Sequence, residues 1–129
     1  MKILHKSVNI SGKKLRRLPQ TPDGKWLFKG VKVVGDFHCG FNLLSDLTGS
    51  PDVVDGDFIC MSNPYMTSLR GAPKIINGNF NCMYNPALES LFGFPEKIDG
   101  DVFMTNKRFS ISDIRKRSVI RGKIYNEEI

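Results

Sequence analysis

Val54-Asp-Gly-Asp-Phe-Ile-Cys-Met-Ser-Asn63 decides the fold, because the chain repeats it. The segment aligns without gaps to Val33-Val-Gly-Asp-Phe-His-Cys-Gly-Phe-Asn42 and to Ile76-Asn-Gly-Asn-Phe-Asn-Cys-Met-Tyr-Asn85. Ile98-Asp-Gly-Asp-Val-Phe-Met-Thr-Asn-Lys107 keeps the frame with weaker matches. The glycines Gly35, Gly56, Gly78 and Gly100 are spaced 21, 22 and 22 apart. Downstream, Leu44-Ser-Asp-Leu47-Thr-Gly-Ser-Pro51, Met66-Thr-Ser-Leu69-Arg-Gly-Ala-Pro73 and Leu88-Glu-Ser-Leu91-Phe-Gly-Phe-Pro95 align as well. Self-similarity at a fixed period of this length marks a repeat architecture.

Within one unit Phe58 and Cys60 alternate with Asp57, Ile59 and Met61, the period of a short strand with one buried face. Gly56 admits a bend before the strand, and Pro64 and Pro86 exclude helix just after it. One unit cannot bury its own apolar face, but stacked units can, each strand pairing with the next. The repeat therefore predicts a β-rich solenoid of about four to five coils of 21–22 residues, with a parallel sheet of five strands. The whole chain reads as a single domain: an N-terminal cap and degenerate coil over 1–32, repeats over 33–107, and a C-terminal cap over 108–129.

Each end must close the open core of such a stack. Val8 and Ile10 take the places of Phe37 and Cys39, and Leu15 and Leu18 those of Leu44 and Leu47. A Pro22-Asp23-Gly24 turn before Trp26 predicts a hairpin with the indole over the core. At the other end Ser112-Asp113 predicts the N-cap of a helix from Ile114 to Ile120, closed by Gly122.

The 129 residues contain 40% hydrophobic and 25% charged residues, an ordinary globular composition. No apolar run reaches the ~18 residues of a membrane span, and Met1–Lys6 does not read as an export signal. With three cysteines, that predicts reduced thiols and a cytoplasmic setting. The net charge of +6 is unevenly placed: net +8 over residues 1–32, −6 over 33–106 and +4 over 107–129. An acidic centre lies between two basic ends.

The apolar-x-apolar-x-x-Asn strand followed by a leucine pair resembles the leucine-rich repeat, with Phe and Cys where that family usually has leucines. The combination Gly-Asp-Phe-x-Cys-x-x-Asn with Ser-Leu-x-Gly-x-Pro is similar to repeats in small proteins of large tailed bacteriophages. The second resemblance implies a host protein as target, inhibited or redirected by binding.

Stacking turns equal positions into columns. Cys39, Cys60 and Cys82, continued by Met104, could offer thiolates to zinc, but Met104 suits an apolar ladder, so the column reads as core and no metal or cofactor is expected. Asn42, Asn63 and Asn85 read as structural amides bonding the turns of neighbouring coils. The outward strand face carries Asp36-Asp57-Asn79-Asp101, His38-Ile59-Asn81-Phe103 and Gly40-Met61-Met83-Thr105, with Phe41 and Tyr84 beside them. Met and aromatic residues rimmed by acids are the composition of a protein-binding surface. The alternative is a solvated sheet.

The basic caps suggest a nucleic-acid partner instead, through Lys13, Lys14, Arg16 and Arg17 at one end and Arg115, Lys116, Arg117, Arg121 and Lys123 at the other. Self-association through the strand face or an open end is a third reading. Asp36 and Asp57 come near His38 in the stack, yet no nucleophile completes a catalytic constellation, so no enzyme is expected.

Overall fold

Two strands arise from each repeat unit, where the sequence predicts one. In the computed structural model, which describes residues 1–127, the order is β1 (Lys2–Leu4), β2 (Val8–Asn9), β3 (Val31–Val33), β4 (Phe37–His38), β5 (Val53–Val54), β6 (Phe58–Ile59) and β7 (Ile75–Ile76). β8 (Phe80–Asn81), β9 (Lys97–Ile98), β10 (Val102–Met104), α1 (Ile111–Arg115), β11 (Val119–Ile120) and β12 (Ile124–Asn126) complete it. Residues 128 and 129 of the expected C-terminal cap lie outside the described residues.

The chain is a parallel β-solenoid of about four coils. The first sheet has the order β1-β3-β5-β7-β9-β11 and the second β12-β10-β8-β6-β4-β2. Every neighbouring pair is parallel and in repeat register, as in Val33↔Val54, Phe37↔Phe58 and Ile59↔Asn81. Six strands make each sheet ~24 Å across at ~4.8 Å per spacing.

The bend expected at the repeat glycines separates the two strands of a coil. Its backbone stacks directly on the preceding bend, Gly78 N–H donating to Gly56 O at 2.9 Å. A Cβ on Gly78 would lie 2.5 Å from that same oxygen, so no other residue fits. The third side of each coil is an irregular limb that buries Leu44 and Leu47, Met66 and Leu69, or Leu88 and Leu91.

The core lies between these three sides. Phe37, Phe58 and Phe80 run through it with ring centroids 5.6 and 6.0 Å apart. Phe28 meets Phe37 edge-on at 5.0 Å and Phe94 meets Phe80 at 5.4 Å. Burying each ring contributes about 1.5–3 kcal/mol. Behind them the asparagine column is fully buried and works as expected. Asn63 Nδ2 donates to Cys60 O at 2.9 Å, and its Oδ1 accepts from Leu44 N–H at 3.2 Å. Asn85 Oδ1 accepts from Asn63 N–H at 2.8 Å. Turn groups that no strand ladder reaches are thereby bonded.

At the N-terminal end the expected hairpin is a tight excursion. Gln20 and Trp26 form an antiparallel bridge, and Gly24 N–H donates to Thr21 O at 2.9 Å. Trp26 is half-buried against the core, as predicted.

The C-terminal end needs correction. Ser110 is the N-cap of α1, and Asp113 is the third helical residue, closing a capping box with it. Those bonds from Ser110 hold the Asp113 carboxyl below the usual range. The helix stops at Arg115 because Val119-Ile120 pairs with Lys97-Ile98 as β11. Gly122 is the next bend glycine, its N–H donating to Gly100 O at 3.1 Å, and β12 then adds a sixth strand to the second sheet. In that strand Asn126 occupies the Cys/Met104 column. Its amide donates to Asn106 O and Phe109 O, which ends the apolar ladder with a polar group.

Candidate binding face

The outward side of the second sheet gathers most of the residues singled out in the sequence. β4, β6, β8, β10 and β12 align His38, Ile59, Asn81, Phe103 and Tyr125 in one column, since each follows a buried Phe, Val or Ile by one position. Ile59, Met61, Met83 and Phe103 are half-buried by their neighbours in the sheet. Tyr125, absent from the sequence-derived set, stacks on Phe103 with centroids 5.1 Å apart and planes 7° from parallel. Its signal was the 22-residue step from Gly100 to Gly122, which places Ile124-Tyr125 in strand frame.

Beside this column Phe41, Ser62 and Tyr84 turn the corner into the limb with φ of 56°, 58° and 58°. Left-handed backbone is uncommon for such residues and persists only where the surroundings fix it. Here Phe41 N–H donates to Met61 O and Ser62 N–H to Met83 O, each at 3.0 Å, while Tyr84 N–H donates to Thr105 Oγ1 at 2.8 Å. Phe41 is 53% exposed and Tyr84 43%, rings held outward by a rigid turn. Gly40, placed in the outward columns by the sequence, is instead buried: a Cβ there would meet the His38 ring and the Met61 backbone.

His38 lies between the apolar and polar parts of the face. Its Nδ1 accepts from Gly40 N–H at 3.1 Å, which requires an unprotonated Nδ1. Partial burial lowers its pKa, so the neutral ring persists at neutral pH. The nearby Asp36 and Asp57 side chains turn one oxygen each to the backbone of the next coil, Asp36 Oδ1 accepting from Asp57 N–H and Asp57 Oδ1 from Asn79 N–H.

Those carboxylates stand off the strand face on which the sequence places them. Asp36, Asp57, Asn79 and Asp101 stand at the corner between the two sheets, where they form a ladder. Asp36 Oδ1 accepts from Asp57 N–H, Asp57 Oδ1 from Asn79 N–H, Asn79 Oδ1 from Asp101 N–H, and Asp101 Oδ1 from Lys123 N–H, all at 2.8 Å. Ser7 Oγ starts the series by accepting from Asp36 N–H at 2.9 Å. Backbone donors thus offset the like-charge repulsion expected of stacked acids. A contrast on the first sheet is informative: Asp55 pairs with Lys32 at 3.7 Å, and Asp99 with Lys97 at 3.8 Å and Arg121 at 3.5 Å. Among the described residues, Asp36, Asp57 and Asp101 have no such cation. They form a fixed acidic ridge along one border of the apolar face.

The cysteine column faces the core. Cys39, Cys60 and Cys82 are all buried, and burial pushes the Cys39 thiol up to about 12 and the other two also far above their ordinary value. Thiols so disposed are neutral packing groups. Cys60→Ala should destabilise by about 1–3 kcal/mol, read as a lower melting temperature, and should leave the outward face unchanged. Stoichiometric zinc in the purified protein, lost in the variant, would contradict this. Among the described residues no group of three or more His, Cys, Asp or Glu is placed to hold a metal ion.

The two basic clusters stand at opposite ends of the stack. Lys13, Lys14, Arg16 and Arg17 lie on the first limb, and all four are exposed. Arg115, Lys116, Arg117, Arg121 and Lys123 lie around α1 and the bend of the last coil. Arg115 bonds Ile120 O and Gly122 O, and Arg121 pairs with Asp99, so two of these five cations are tied to the cap itself. Among the described residues no helix is long and apolar enough to cross a membrane. No family model matches the chain, and neither the curated proteins nor the solved structures contain a significant match to it.

Proposed function

We propose that this protein is a non-enzymatic binding module whose second sheet docks a protein partner with a basic rim. The observation that carries this is the adjacency of two features on one rigid surface. The Ile59, Met61, Met83, Phe103 and Tyr125 side chains, flanked by Phe41 and Tyr84, supply apolar anchors. The Asp36-Asp57-Asp101 ridge beside them has no paired cation among the described residues. Exposed aromatics and Met are enriched where partners dock, and fixed charges at the rim select the partner and steer its approach. A rigid backbone adds little ordering cost on binding.

The leucine-rich-repeat resemblance supports the same reading, since such solenoids act through extended surfaces. The likeness of the repeat to those of large tailed bacteriophages supports a host protein as the partner, inhibited or redirected by binding in the host cytoplasm.

Affinity capture from host lysate, at low and high salt and with and without nuclease, tests the proposal. The expected result is recovery of one protein that survives nuclease and moderate salt. Recovery that vanishes with nuclease would contradict it.

A further inference from the structure

The first limb carries a feature that the strand face does not use. Lys13 N–H and Leu15 N–H both donate to Asn42 Oδ1 at 3.0 Å, and Lys14 takes a left-handed φ of 56° between them. Leu18 is buried and Leu15 half-buried, so this anchored turn leaves Lys13, Lys14, Arg16 and Arg17 in solvent. Among the described residues none of the four makes an ion pair. Lys14, Arg16 and Arg17 line an open groove of about 900 Å³ with Gln20, Thr21 and Gly24. Next to it Arg16, Leu43, Ser45 and Tyr65 line an open hollow of about 350 Å³, and Tyr65 is 63% exposed.

We infer that this limb binds single-stranded nucleic acid, its phosphates on Lys14, Arg16 and Arg17 and a base against Tyr65. A groove lined by one sign of charge concentrates the opposite ion, and guanidinium groups match phosphate oxygens in two-pronged bonds. An exposed aromatic ring beside them offers a stacking surface that an unpaired base can use and a duplex cannot. An acidic peptide would satisfy the cations but leave Tyr65 without a role. The acidic ridge does not oppose such a strand, because it lies at the corner between the sheets, across the core from the limb. Of the limb's nearer acids, Asp23 pairs with Lys25 at 3.9 Å, and Asp46, whose Oδ1 accepts from Thr48 N–H, lines neither the groove nor the hollow. This inference is independent of the strand-face proposal, whose residues it does not share.

Fluorescence anisotropy of a labelled oligo-dT with the full chain, between 50 and 200 mM salt, tests it. Three phosphate contacts predict a log–log salt slope of about −2. Arg16→Glu with Arg17→Glu should weaken binding by more than about tenfold and flatten the slope by about 1.4. Tyr65→Ala should weaken it about fivefold or more at an unchanged slope. Lys116→Glu with Arg117→Glu should leave the affinity as it was. All these positions are exposed, so melting temperatures should match the parent; if the double reversal lowers its own, Arg16→Gln with Arg17→Gln takes its place. No binding at 50 mM salt, an equal loss from the C-terminal reversal, or no effect of Tyr65→Ala would overturn the inference. Equal binding of polyglutamate would also overturn it.

Discussion

Phe58→Ala is expected to remove about 3–5 kcal/mol of folding free energy, out of a total of about 5–15 kcal/mol for an ordinary domain. Phe58 is wholly buried in the middle coil, stacked on Phe37 at 5.6 Å on one side and meeting Phe80 at 6.0 Å on the other. Its removal opens a void that neither neighbour can fill, because each is itself fixed in a parallel strand. In a solenoid each coil touches only its neighbours, so loss at the centre also uncouples the two halves. Thermal melting followed by circular dichroism should show a midpoint roughly 10–20 °C lower, or no cooperative transition. A shift of only a degree or two would mean that the aromatic column does not hold the coils together.

The second large effect concerns function. Met61→Asp and Tyr84→Asp place new charge on the outward side of the second sheet, where Met61 is half-buried and Tyr84 largely exposed. In the free protein the Tyr84 site leaves its new carboxylate hydrated, and the half-buried Met61 site places one beside the Asn81 amide at the sheet surface, so the melting temperature should change little next to the loss expected of Phe58→Ala. In a complex each would be desolvated against the partner's apolar contacts and would also extend the acidic ridge into the anchor region. Burying an uncompensated charge costs several kcal/mol, enough to abolish capture rather than weaken it.

Much of this architecture was legible in the chain. The Gly-Asp-Phe-x-Cys core of the unit showed the strand, its buried face and its stacking. Asn42, Asn63 and Asn85 could be read as turn-bonding amides because nothing else in the unit can satisfy those backbone groups. The first sheet was not legible, since pairs such as Val53-Val54 and Ile75-Ile76 are too short to display alternation. The last coil was hidden for a related reason. Gly122 near Ile114 and Ile120 satisfies the pattern of a helix terminus as readily as that of a bend, and only pairing with Gly100 separates the two.

The acids at the corner were misplaced because a period of two cannot tell a strand residue from the residue that precedes the strand. Asp57 shares parity with Ile59 and Met61, yet its carboxylate accepts from the backbone N–H of Asn79 on the next coil. The exposure of Phe41 and Tyr84 was legible only in part. Their left-handed backbone depends on hydrogen bonds to the next coil, which are tertiary facts.

The most direct measurement compares capture of the partner by the parent, by Met61→Asp and Tyr84→Asp, and by the reversal of Arg16 and Arg17 to glutamate, with the melting temperature of each recorded. The strand-face account predicts that the two face variants lose the partner at a nearly unchanged melting temperature, while the cap reversal retains it. Capture that survives both face substitutions and disappears with the cap reversal would contradict it.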